Sequence, residues 1–135
     1  MTATDLTPRC LGGGRVLVVD NCEDSAACLT AVLRLNGFDA VSVRTGREAL
    51  RALASHRPGA AIIDFDLPDA DACAIIREVS AKTNPPAAAI VLTAYTDAKH
   101  RLAAATAGAA AYLVKPAEPV ALVQLLQDLC PPPSD

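Results

Sequence analysis

The sequence predicts an α/β domain, an open parallel sheet with helices on both faces. Three observations predict it. Short apolar runs of strand length alternate with longer segments of helical spacing. All but one of those runs are apolar throughout, as strands covered on both faces are. Gly, Pro or Asn punctuates the joins between them.

The first strand is Arg15-Val16-Leu17-Val18-Val19, β-branched and continuous, ending at Asp20-Asn21. Ser25 to Leu35 follows as a helix, with Leu29, Val32, Leu33 and Asn36 at helical spacing and Gly37 as its stop. Asp39-Ala40-Val41-Ser42-Val43 alternates, as a strand nearer an edge does. Thr45 to Ser55 places Ala49, Leu50 and Leu53 on one side of a helix that Pro58-Gly59 ends. Ala60 to Ile63 is the third strand and stops at Asp64. The helix Ala72 to Ala81 carries Ile75, Ile76 and Val79 and stops before Asn84-Pro85-Pro86. Ala87 to Leu92 is the fourth strand, closed by Thr93. Asp97 to Ala107 is a weaker amphipath built on Leu102 and alanines. Ala111 to Val114 ends at Lys115-Pro116, and Glu118 to Leu129 is the last helix, with Pro119 in its first turn.

Outside this pattern, Met1 to Gly14 reads as a flexible leader, and Pro131 to Asp135 as a proline-rich tail. The folded unit is expected over residues 15–130, with no output domain beyond it. A chain of 135 residues suits one core. A hydrophobic fraction of 52% excludes a disordered chain. Aromatics at 3% and no Trp argue against base stacking. The net charge of −3, without a Lys/Arg block, predicts no nucleic-acid partner. No apolar run is long enough to span a bilayer and no secretory signal is visible, so a cytoplasmic protein without membrane contact is expected. The five cysteines (Cys10, Cys22, Cys28, Cys73, Cys130) form no C-x-x-C pair and read as reduced thiols.

In sheets of this kind ligands bind beyond the carboxyl ends of the strands. There the sequence sets Asp20 with Asn21, then Asp64, Thr93 and Lys115. Any one of them alone reads as a turn or cap residue. Together they make a chemical set. Clustered carboxylates repel unless a cation separates them, and a hard ion with oxygen ligands, Mg²⁺ foremost, meets that demand. Asp64 can then attack phosphorus as a carboxylate nucleophile, while Lys115 and Thr93 contact the other phosphoryl oxygens.

This set resembles the receiver domain of two-component response regulators. The resemblance rests on Val16-Leu17-Val18-Val19-Asp20, Ile62-Ile63-Asp64 with Leu67-Pro68, Val91-Leu92-Thr93-Ala94, and Tyr112-Leu113-Val114-Lys115-Pro116. It implies a flavodoxin-like (βα)5 three-layer sandwich with strand order 2-1-3-4-5. It also implies phosphoryl transfer to Asp64 from a histidine kinase or histidine phosphotransfer protein. Asp20, Asn21, Asp64 and the backbone carbonyl of Asp66 would hold Mg²⁺. Thr93 and Tyr112 would form a switch read by a downstream protein at the fourth helix, fifth strand and fifth helix. No enzyme activity is implied beyond the chemistry of Asp64 itself.

Some residues depart from that pattern. Asn21 stands where receivers carry a second acidic residue, and its amide is a neutral ligand. Asp66 adds a carboxylate two residues past the acceptor and is expected to face solvent. Ala72 stands where receivers often have Gly. A degenerate receiver that binds partners without phosphorylation is therefore the alternative. Asp64-Phe65-Asp66 also resembles the nucleophile motif of haloacid-dehalogenase-type phosphatases, but no acidic pair follows Lys115 in a strand-end loop. A nucleotide- or flavin-binding domain would need a phosphate loop after a strand, whereas Gly12-Gly13-Gly14 precedes one. His56 and His100 are expected on helices, facing solvent.

Overall fold

Strand and helix alternate from end to end in a computed structural model: β1 (Arg15–Val19), α1 (Glu23–Leu35), β2 (Asp39–Val43), α2 (Gly46–His56), β3 (Ala60–Ile63), α3 (Ala72–Arg77), β4 (Ala88–Thr93), α4 (Ala98–Ala107), β5 (Ala111–Val114) and α5 (Pro119–Leu129). The structure describes residues 14–67, 69, 71–82, 87–116 and 118–129. The expected leader, Gly14 apart, and the expected tail lie outside the described residues, as do Cys10 and Cys130. Cys22, Cys28 and Cys73 are free thiols.

All four strand pairings are parallel, and the sheet order is β2-β1-β3-β4-β5. This is the flavodoxin-like order. Side chains alternate across the sheet, so each apolar run feeds two cores. Leu17, Val19, Ile63 and Val91 pack on one face with Leu53, Ile75, Ile76 and Val79. Val16, Val18, Ile62 and Ile90 pack on the other with Leu33, Phe38, Leu122 and Leu126. Two covered faces explain why these strands carry no polar alternation.

Helix ends follow local chemistry. Beyond α1, the Gly37 amide donates to the Arg34 carbonyl at 3.1 Å and the Phe38 amide to the Leu33 carbonyl at 3.1 Å. The chain turns there through Gly37 at φ 91°, the left-handed conformation that glycine adopts without steric cost. Helix α2 begins at Thr45, whose hydroxyl accepts from the Glu48 amide, and ends at Arg57 in the left-handed region.

Three expectations are corrected. The third helix was expected to run without change to Ala81; a π-helical turn, Glu78–Lys82, replaces its end. Ser80 sits in that turn and its hydroxyl donates to the Ile76 carbonyl at 2.9 Å, a side-chain bond that competes with the helical ladder. The fourth helix was expected to be built on Leu102 and alanines; two of the alanines are buried, but Leu102 is 69% exposed. Ala104 and Ala107 take the buried side, because small residues let α4 approach α3 closely enough for the Cys73 thiol to reach the Ala103 carbonyl at 3.7 Å. His56 was expected to face solvent but is half-buried, and its Nε2 is enclosed without a hydrogen-bond partner among the described residues.

These placements predict a contrast in stability. Ile76→Ala, in a fully buried position, should cost about 2–5 kcal/mol by urea unfolding. Leu102→Ala should stay within about 0.5 kcal/mol. A large loss at Leu102 would contradict the packing of α4.

Candidate functional site

The carboxyl edge of the sheet sets the ends of four adjacent strands side by side. Asp20 follows β1 and its amide donates to the Val43 carbonyl of β2 at 3.1 Å. Asp64 follows β3 and its amide donates to the Val19 carbonyl of β1 at 3.0 Å. Thr93 is the last residue of β4, not the residue after it, and its carbonyl accepts from the Lys115 amide at 2.7 Å. Sheet pairing, more than the loops, brings these residues together.

A repeated local turn then aims the side chains. Asp20 Oδ1 accepts from the Cys22 amide at 2.9 Å, and Asp64 Oδ1 from the Asp66 amide at 3.2 Å. Thr93 Oγ1 accepts from the Tyr95 amide at 3.3 Å. Each is the side-chain-to-backbone turn, two residues on, that Asp and Thr favour. The turn role expected of any one such residue is therefore present at all three. One oxygen of each carboxylate closes the turn, leaving the other for the pocket.

Lys115 fills that pocket. Its Nζ donates to Asp64 Oδ2 at 3.2 Å and to Asp20 Oδ2 at 3.4 Å. Asp20 and Asp64 are 5% and 8% exposed, so their charges are poorly screened by water. Burial pulls the Lys115 ammonium toward neutrality, but the charge of Asp64, its hydrogen bond and then Asp20 prevail, and its pKa lies above the usual lysine value. Two carboxylates against one ammonium leave the cluster short of one positive charge. That donor set suits a hard cation. Among the described residues no group of three or more His, Cys, Asp or Glu side chains converges, so a bound ion would complete its shell with backbone oxygen and water, as Mg²⁺ does.

Other expected residues sit at the rim. The Asn21 side chain is exposed, and its Nδ2 donates to the Arg44 carbonyl at 3.4 Å. Asp66 is exposed, as expected, yet its Oδ1 accepts from the Tyr95 hydroxyl at 2.9 Å. Tyr112 is half-buried; its hydroxyl donates to the Tyr95 carbonyl at 2.8 Å and the Arg101 guanidinium lies 4.8 Å over its ring. Ala72 is buried as the first residue of α3, with Asp71 as its N-cap.

Tyr95 was not singled out by the sequence reading, and His100, expected to face solvent, is half-buried. The two rings stack at 4.1 Å, and the Phe65 ring meets His100 edge-on at 5.4 Å. His100 Nδ1 lies 2.7 Å from both oxygens of Asp97, and this contact holds Asp97 below the usual carboxylate range. A readable signal existed. Phe65 directly follows Asp64, Tyr95 stands two residues after Thr93, and the chain has only two Phe and two Tyr. Asp69 was also missed; its carboxylate reaches the first turn of α2.

The comparisons with known proteins agree with this geometry. Residues 16–127 match the response regulator receiver domain, and the chain belongs to that family. The transcriptional regulatory protein PrrA of Mycobacterium tuberculosis is 40% identical over 115 residues, covering 83% of this chain and 49% of PrrA. The DNA-binding response regulator MtrA of the same organism is 36% identical over 109 residues, covering 81% of this chain and 47% of MtrA. The chain thus spans about half the length of the curated relatives it matches. A solved signal receiver domain from a Syntrophus aciditrophicus signal transduction histidine kinase superposes with a TM-score of 0.77 at 29% identity, covering 86% of this chain and 89% of that one.

These relatives overturn one expectation. Nucleic acid was excluded as a partner from the acidic charge balance, but MtrA is a DNA-binding response regulator and PrrA a transcriptional regulatory protein. The charge argument weighed these 135 residues alone. The charge of the matched half says nothing of the unmatched half of such a regulator. Among the described residues, no helix is long and apolar enough to cross a membrane.

The Tyr95 contact gives a titration with a definite sign. The hydrogen bond to Asp66, then the charge of Asp66, holds the Tyr95 phenol above its ordinary pKa. On a Tyr112→Phe background Tyr95 is the sole tyrosine. Adding Asp66→Asn should move tyrosinate absorbance to lower pH. An unchanged midpoint would refute the contact.

Proposed function

We propose that this chain is a phosphorylation-driven receiver in which Asp64 takes a phosphoryl group from the phosphohistidine of a histidine kinase or histidine phosphotransfer protein. The observation that carries this reading is the Lys115 ammonium set between buried Asp20 and Asp64. A carboxylate oxygen of Asp64 forms a bond to phosphorus as the donor's P–N bond breaks, and the electron pair stays on the imidazole nitrogen. Lys115 and the Thr93 hydroxyl, whose proton is not used by its turn, take up the phosphoryl oxygens. The carboxylates of Asp20 and Asp64, the Asp66 carbonyl and the Asn21 amide oxygen are the groups that would hold Mg²⁺. When bound, the ion supplies positive charge against the phosphoryl oxygens.

The same reading gives the switch a route. Tyr95 donates its amide to Thr93, accepts at its carbonyl from Tyr112 and donates its hydroxyl to Asp66. A hydroxyl of Thr93 drawn toward the new phosphoryl group pulls on Tyr95, and through it on Tyr112, a local charge change biasing a two-state element. The only chemistry in this reading is that on Asp64 itself. The folding unit is residues 15–130, and the relatives' names bring DNA-binding transcriptional control into the reading as the output that the state of Asp64 governs.

A second reading, partner binding without phosphorylation, is favoured by Asn21. It replaces a carboxylate by a neutral amide already engaged with Arg44. Mass spectrometry after incubation with acetyl phosphate and Mg²⁺ separates the two. The wild-type chain should gain one phosphoryl group and Asp64→Asn none. An unlabelled wild-type chain would leave the second reading, and a labelled Asp64→Asn would place the acceptor elsewhere.

A further inference from the structure

We infer that Asp69 is a positioning residue for the acceptor pocket, tying the loop that carries Asp66 to the first turn of α2. This rests on the reading of Asp64 as a Mg²⁺-assisted acceptor. Asp69 Oδ1 accepts from the Gly46 amide at 2.7 Å and Oδ2 from the Arg47 amide at 3.1 Å. A carboxylate at a helix N-terminus meets both unpaired amides and the positive end of the helix dipole. The Gly46 bond foremost holds the Asp69 carboxyl below the usual range.

The turn it grips is itself braced. The Glu48 amide donates to Thr45 Oγ1 at 3.1 Å, and the Glu48 carboxylate accepts from the Arg44 amide at 2.9 Å. The Arg44 carbonyl takes the Asn21 amide at 3.4 Å, and the Arg44 guanidinium lies 3.8 Å from Glu23. Residues 44–47 therefore hold the loop after β1 on one side and the loop after β3 on the other. Asn21 rides on the first loop and Asp66 on the second. Among the described residues, the other hydrogen bonds between Asp64 and the α3 cap Asp71 are local, such as Leu67 amide to Phe65 carbonyl at 3.1 Å, or come from the exposed Asp66–Tyr95 pair, while the Phe65 ring packs edge-on against His100 of α4. Asp69 is, among the described residues, the loop's hydrogen-bonded tie to α2. Without it, the loop loses its hold on α2, and the Asp66 backbone, with its amide on Asp64 and its carbonyl, is less firmly placed.

The test is a direct Mg²⁺ titration of the chain followed by NMR, paired with acetyl phosphate labelling. Asp69→Ala should weaken Mg²⁺ about tenfold, the low end for residues that orient a metal's ligands. Labelling at saturating Mg²⁺ should return close to the wild-type rate, because no reacting group is lost. Asp69→Asn, which keeps one acceptor oxygen, should lie between the two. If Asp69→Ala melts below the assay temperature, Asp69→Asn carries the comparison alone. Mg²⁺ affinity within twofold of wild type in the folded variant would overturn the role of Asp69 while leaving the acceptor reading intact. A wild-type chain that neither binds Mg²⁺ nor is labelled would overturn both.

Discussion

The ion cluster of Lys115 with Asp20 and Asp64 sets the terms for everything around it. Two nearly buried carboxylates at this edge repel one another, and a unit charge at 4 Å is worth about 4 kcal/mol where water is partly excluded. One ammonium offsets the repulsion without neutralising the cluster. The remaining negative charge makes the pocket receptive to a divalent cation and, with it, to an anionic phosphoryl group. Phosphorylation of Asp64 would then exchange one set of charge contacts for another at the point where four strands end.

The sheet converts a scattered sequence into this cluster. Parallel pairing puts every carboxyl end on one edge, and the side-chain turn after β1, β3 and β4 orients an oxygen without help from distant residues. Precision at the pocket therefore comes from local chemistry on rigid strands. The loops beyond are tuned by longer-range bonds: Asp69 to α2, Asn21 to Arg44 and Tyr95 to Asp66. On the proposed reading, metal affinity and phosphoryl lifetime would vary through those rim contacts while Asp64 stays in place.

This division also explains what was legible beforehand. Strand runs and the residues that close them are contiguous in sequence, so Asp20, Asp64, Thr93 and Lys115 could be read as one edge. The tie between Asp69 and Gly46 spans 23 positions and follows no period, so nothing local announces it. Leu102 misled because a lone large apolar residue on an alanine-rich helix looks like its anchor, whereas close helix packing selects the alanines. The aromatics near the strand ends were visible, but the pairing of Tyr95 with His100 joins a loop to a helix, and neither local pattern announces it. The nucleic-acid error was of another kind: charge composition reports on the residues counted, and the matched region is about half of each relative.

The pocket carries its own reporters. The Cys22 amide is bonded to Asp20, the Asp66 amide to Asp64 and the Tyr95 amide to Thr93. An amide NMR titration with Mg²⁺ and then beryllofluoride, a phosphoryl mimic, addresses all three at once. Mg²⁺ should shift Cys22 and Asp66, beryllofluoride should then shift Tyr95 and Tyr112, and Asp64→Asn should remove the second response. Silence at Cys22 and Asp66 under saturating Mg²⁺, or a beryllofluoride response that survives Asp64→Asn, would contradict Asp64 as the acceptor.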